Sequence, residues 1–66
     1  MMGPMSSIVY FIKCKYMMTT ITVTFVNGAE LTGKVVDAFD NLVGLDAGKG
    51  VIFINANQIV TFTQND

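Results

Sequence analysis

Histidine and tryptophan are absent from this chain, cysteine and proline occur once each, and only four residues, all lysine, are basic. With no histidine and Cys14 alone, an internal disulfide, a Cys/His zinc site and a His-based catalytic relay are all excluded, and no metal or other cofactor is expected. A lone cysteine also fits a reducing compartment, so the expected location is cytoplasmic. Four lysines against five acids leave a formal charge of −1 and a sequence pI near 4.9. The broad basic field of nonspecific nucleic-acid binding is therefore missing, and any RNA site has to be local. The longest apolar stretches, residues 8–12 and 51–54, fall far below the roughly 20 residues that span a bilayer. No basic residue precedes Ile8, as a secretory signal would require, and no membrane partner is expected. The acids Glu30, Asp37, Asp40, Asp46 and Asp66 are scattered, with no nucleophile-base pair or phosphate cradle among them. Neither an enzyme nor a small-molecule substrate is expected. Lys13 and Lys15 flank Cys14 and favour its thiolate, but no base or oxyanion partner accompanies them, so an inert cysteine is the simpler reading.

What the chain does have is apolar surface. Its 66 residues make one small domain, yet 52% of them are hydrophobic and only 14% charged, with a mean hydropathy of +0.52. A core of this size does not absorb such a load. Further copies of the same chain are the simplest cover for the excess.

The apolar residues have a period of two. Ile21, Val23 and Phe25 alternate with Thr20, Thr22 and Thr24, which predicts a strand with one buried face and one face of hydroxyls. Asn27-Gly28 follows, a pair that tolerates the positive φ of a tight reversal, so residues 30–39 should return antiparallel. In that second strand Leu31 and Val35 share a face with Gly33, where a missing side chain allows a sharp bend or bulge. Asp40-Asn41 marks the next corner, and further strands are expected over 42–45, 51–54 and 58–63, joined by the loop 46–50 and a short break at 55–57. The fold class expected is all-β, a small, strongly bent, five-stranded antiparallel barrel. Val51, Ile52, Phe53 and Ile54 are apolar on both faces, and Ile59, Val60 and Phe62 nearly so. Strands of that kind at the end of a small sheet are covered or paired with another chain, so these seven residues are the candidate subunit interface, the alternative being the middle of a single sheet.

Residues 1–17 form a leader before a barrel over 18–66. Ser6 to Tyr16 reads either as a strand or as a short helix capped by Ser7, with Ile8, Phe11, Ile12 and Tyr16 along one stripe. The β-branched and aromatic composition favours the strand.

The order of an apolar strand, N-G, L-x-G-x-V, F-D-N, L-x-L, a loop and I-N-A-N-Q-I resembles the two-block signature of the Sm and Sm-like (Lsm) proteins, whose bacterial branch is Hfq. The likeness covers residues 20–62. Asn27-Gly28, Gly33 and Phe39-Asp40-Asn41 stand at the positions of the first block, and Ile54 to Ile59 occupies the second. The resemblance implies an Sm-like (SH3-like) barrel in a homo-oligomeric ring, hexamer or heptamer, with the fourth strand of one copy pairing with the fifth of the next. It also implies that the loops after F-D and in the second block line a pore and bind single-stranded RNA.

Carried over residue by residue, the RNA-binding candidates are Asp40, Asn41, Asn55 and Asn57, and Lys49, a cation between two glycines within reach of phosphate, is a fifth. Asn41 takes the place of a base-reading glutamine in the F-D-N register, or of the Sm asparagine if Asp37 to Val43 is read as D-x-x-M-N-L-V. Asn55 stands where Sm proteins carry arginine, Ala56 where they carry glycine, and Asn55-Ala56-Asn57 replaces the Y-K-H of Hfq. An aromatic ring and the cations are thereby lost, although amides still read base edges as donor and acceptor together. Each candidate also has an ordinary role: Asn27, Gly28 and Gly33 shape turns and bends, Asp40 and the asparagines suit corners, and Lys49 between two glycines solvates a loop. The expected function is a noncatalytic ring that binds single-stranded RNA weakly, with a ring that has lost RNA and serves as a protein scaffold as the alternative. Met17-Met18 opens what reads as a complete barrel, so the native chain is expected to start there. Intact mass of the native protein checks this, and a mass that includes residues 1–16 removes the idea.

Overall fold

In β1 (Thr20–Phe25) the alternation does what the sequence predicts: Ile21 and Val23 are fully buried while Thr20, Thr22 and Thr24 face the other way. The computed structural model describes residues 7–65. On the hydroxyl face Thr22 Oγ1 lies 2.8 Å from Thr32 Oγ1 and accepts from Asn65 Nδ2, also at 2.8 Å. At the turn Gly28 adopts φ +89°, and Asn27 Oδ1 accepts from the backbone of Ala29. The chain then returns antiparallel as β2 (Glu30–Phe39), pairing Thr24 with Glu30 and Thr20 with Lys34.

β2 is long enough for two neighbours, β1 along its first half and β3 (Leu42–Asp46) along its second. Its irregularity falls beyond Gly33: Val35 pairs with Leu45 and Asp37 with Gly44, leaving Val36 as the extra residue of a bulge. The buried positions accordingly step from Gly33 to Val35 and then to Ala38, a gap of two followed by three. Gly33 serves a close approach instead. A Cβ there would lie 3.0 Å from the carbonyl oxygen of Asp46 and 3.2 Å from Leu45 Cβ, so only glycine lets the end of β3 lie this near.

β4 (Val51–Asn55) pairs with β3, a single 3-10 turn covers Ala56–Gln58, and β5 (Ile59–Gln64) pairs with the far side of β1. The sheet order is β4-β3-β2-β1-β5. Five antiparallel strands are as expected, but the barrel is not closed, because no ladder joins β4 to β5. The sheet is nevertheless rolled. Laid flat, its two edge strands would stand about 19 Å apart at about 4.8 Å per spacing. The connection from Asn55 to Ile59 spans at most about 14 Å, so the edges approach one another at that end.

The leader departs from the favoured expectation. Ser7–Lys15 is not a strand but a helix, α1. Helical spacing puts Val9 and Ile12 on one side, and both are completely buried with Ile21, Val23, Val35 and Leu45. An open sheet needs its concave face covered, and that demand outweighs the β-leaning composition of Ile8 to Ile12. The helix ends at Tyr16, whose amide donates to Ile12 O at 2.8 Å. Met18, at φ +65°, then donates to Val35 O at 2.7 Å and turns the chain into β1. Phe11, Tyr16 and Phe62 meet at centroid distances of 5.6 to 6.2 Å and tie α1 to β5. The first six residues of the leader lie outside the described part. A chain begun at Met17 would lack two fully buried core side chains.

Replacing Ile12 with alanine is expected to cost about 2 to 5 kcal/mol, as for other large core truncations. Gly33→Ala should cost about 1 to 3 kcal/mol, because the neighbour that must yield is backbone. Urea denaturation of each variant measures both, and a parental midpoint for Ile12→Ala would show that α1 is not part of the cooperative core.

Candidate nucleic-acid interface

Two loops meet at one end of the β3-β4 pair. Phe39 pairs with Leu42 across the first, which leaves Asp40 and Asn41 as a two-residue corner. Asp40 sits at φ +52°, a left-handed conformation that aspartate and asparagine bear better than most residues. Asn55 closes β4 opposite Leu42, and the second loop follows it as the 3-10 turn.

Hydrogen bonds join the two. Asn41 Nδ2 donates to Asn55 Oδ1 at 2.8 Å, and Asn41 O accepts from the amide of Ala56 at 2.9 Å. Asn55 Oδ1 also accepts from the amide of Asn57 at 2.8 Å and so caps the 3-10 turn. Ala56 is buried in the core, where a lysine or other long polar side chain would have no room or partner. The structure therefore gathers Asp40, Asn41, Asn55 and Asn57 into one cluster. It places Lys49 elsewhere, in the loop beyond the Asp46-Val51 pair at the opposite end of the same strands, about 13 Å away along a five-residue strand. Gly48 and Gly50 adopt positive φ on either side of it, and Asp46 Oδ1 accepts from the amide of Gly48.

The cluster's only charge is the carboxylate of Asp40. It is a set of amide donors and acceptors suited to base edges and not to phosphate. Asn41 Oδ1 and Asn55 Nδ2 take no partner among the described residues, so an acceptor oxygen and an amide NH2 group remain for a ligand after the clasp has formed.

An aromatic neighbour was missed in the sequence. Phe39 and Phe53 pack edge to face, their centroids 5.9 Å apart, with both rings about half exposed. Phe53 lies on the same face as Asn55, two residues before it, and its ring covers Gly44, where a Cβ would come within 2.9 Å. The signal was the cross-strand register: once Gly44 is placed opposite Phe53, the glycine reads as a seat for the ring. The cluster thus has aromatic surface beside it.

The candidate interface residues divide. Ile54 and Ile59 belong to the core, and Phe62 is partly covered by Phe11 and Tyr16. Val51, Ile52, Phe53 and Val60 are exposed, and Val60 falls at a register shift between the pairs Phe25-Ile59 and Thr24-Thr61. Each edge strand pairs on one side only. No helix among the described residues is long and apolar enough to cross a membrane. No family model, curated protein or solved structure matches the chain.

Asn55→Ala removes the oxygen that holds both Asn41 and Asn57, and should cost about 1 to 2 kcal/mol. Asn41→Ala breaks one of these bonds and should cost about half as much. A double-mutant cycle by thermal unfolding checks the pair: additive losses would mean that the two side chains are not coupled.

Proposed function

We propose that the chain is a noncatalytic, Sm-like subunit that assembles edge to edge into a hexameric or heptameric ring and binds single-stranded RNA weakly at the paired loops. The observation that carries this reading is the rolled sheet with two unpaired edges, β4 and β5, and exposed Val51, Ile52, Phe53 and Val60 on those strands. An open edge flanked by apolar side chains is a template for another strand, and pairing β4 of one copy with β5 of the next satisfies both at once. Single strands expose base edges to amides and base faces to rings, which the asparagine cluster and the Phe39-Phe53 pair would meet. A stacked base contributes about 1 to 3 kcal/mol, and repetition around a ring multiplies weak contacts into avidity.

A second reading is favoured by the internal use of Asn55 and by the distance of Lys49 from the cluster. Here the same ring holds protein partners and no RNA.

Sedimentation velocity should give a ring-sized species, and Ile52→Lys or Val60→Lys should reduce it to monomer without loss of fold, since exposed substitutions change stability by about 0.5 kcal/mol or less. A parental monomer would end both readings. Fluorescence polarisation of the assembled ring with short U-rich and A-rich RNAs separates them. Saturable binding with a shallow salt dependence supports RNA, because no lysine lies at the cluster to displace counterions. Absence of saturation at low salt leaves the scaffold.

A further inference from the structure

α1 is apolar on two opposite sides. Its inner stripe, Val9 and Ile12, is the part buried in the core. Its outward side carries Tyr10 (61% exposed) and the exposed Cys14, together with Phe11, whose ring packs on Tyr16 and Phe62 along one side and is open along the other (46% exposed). At about 100° per residue these three fall in an arc of roughly 100° facing away from the inner stripe, with Lys13 on one flank and Lys15 on the other. Met18, 63% exposed, follows just past the helix end. A surface helix is ordinarily polar on its outward side, so this one has a second apolar face left to cover.

Charge decides what covers it. Two of the four basic residues are on α1, whereas no acid precedes Glu30 in the chain. Lys13 and Lys15 are exposed, and neither has an ion pair among the described residues. A tyrosine phenol is uncharged near neutral pH and the neighbouring Cys14 side chain raises that of Tyr10 further, so Tyr10 adds no charge to this face. A second copy fits poorly: packing two such faces together would bring four lysines and no acid into one contact. An anionic surface answers both the lysines and the apolar centre. Aromatic side chains between flanking lysines are the pattern of a helix lying in a bilayer interface, its lysine stems reaching up to the headgroups.

We propose that the outward face of α1 docks on anionic lipid bilayers, seating Tyr10 and the open side of Phe11 at the headgroup boundary and setting Lys13 and Lys15 against lipid phosphates. The sequence expectation of no membrane partner rested on the lack of a spanning segment, and a helix that lies on a membrane needs none. The docking face shares no residue with the asparagine loops and needs no ring.

Cosedimentation of the full chain with extruded vesicles tests it, comparing phosphatidylcholine alone with phosphatidylcholine containing phosphatidylglycerol. Binding is expected only to the anionic vesicles and should weaken as salt rises. The double variant Lys13→Gln, Lys15→Gln should lose about fivefold per lysine, roughly 25-fold together. Tyr10→Ser, at an exposed site, should weaken binding with unchanged thermal unfolding, and Lys34→Gln, on β2, should bind as the parent does. No binding to anionic vesicles at low salt, equal binding to both vesicle types, or parental binding by the double lysine variant would each overturn the proposal. Self-association of the parent without lipid that Tyr10→Ser abolishes would overturn it too, assigning the face to a second copy.

Discussion

Three residues, Ala56–Gln58, have to carry the chain from one edge strand of the sheet to the other, and the architecture follows from how little reach they have. A flat five-stranded sheet is wider than that connection is long, so the sheet rolls. The roll creates a concave face, which five short strands alone leave open, and Val9 and Ile12 of α1 fill it. The same connection is anchored by Asn55, which caps it, and by Asn41, whose carbonyl holds the amide of Ala56. Candidate site and sheet curvature thus share atoms, and a ligand that pulled on the amides would also pull on the element that keeps the edges close.

Much of this was readable beforehand where one physical requirement dominates a position. Alternation of threonine with Ile21 and Val23 settles β1, and Asn27-Gly28 admits hardly anything but a reversal. The Asp40-Asn41 corner and the short break at 55–57 were legible for the same reason, which is why four of the five candidate site residues arrive together. Lys49 was nominated as a cation between two glycines within reach of phosphate, and nothing in its own surroundings tied it to the asparagines.

What escaped the sequence depends on long-range neighbours. Ile8 to Ile12 leans to a strand by composition while its spacing also allows a helix, and only the uncovered concave face, a property of the assembled sheet, decides for the helix. A bulge at Val36 cannot be told from a bend at Gly33 until the partner strand is in place, because both relieve the same curvature. Apolarity on both faces of residues 51–54 also conceals two fates, Ile54 going inward and Phe53 lying outward over Gly44.

The Asn27-Gly28 turn has a bearing on the chain's chemical longevity. Asparagine followed by glycine is the dipeptide most open to spontaneous deamidation, in which the glycine nitrogen attacks the asparagine carboxamide. Here that nitrogen donates to Phe25 O at 2.9 Å, and Asn27 Oδ1 is engaged by the Ala29 amide. Neither reacting group is at liberty to find the other while the hairpin is formed, so ageing at this dipeptide is confined to moments when the turn opens.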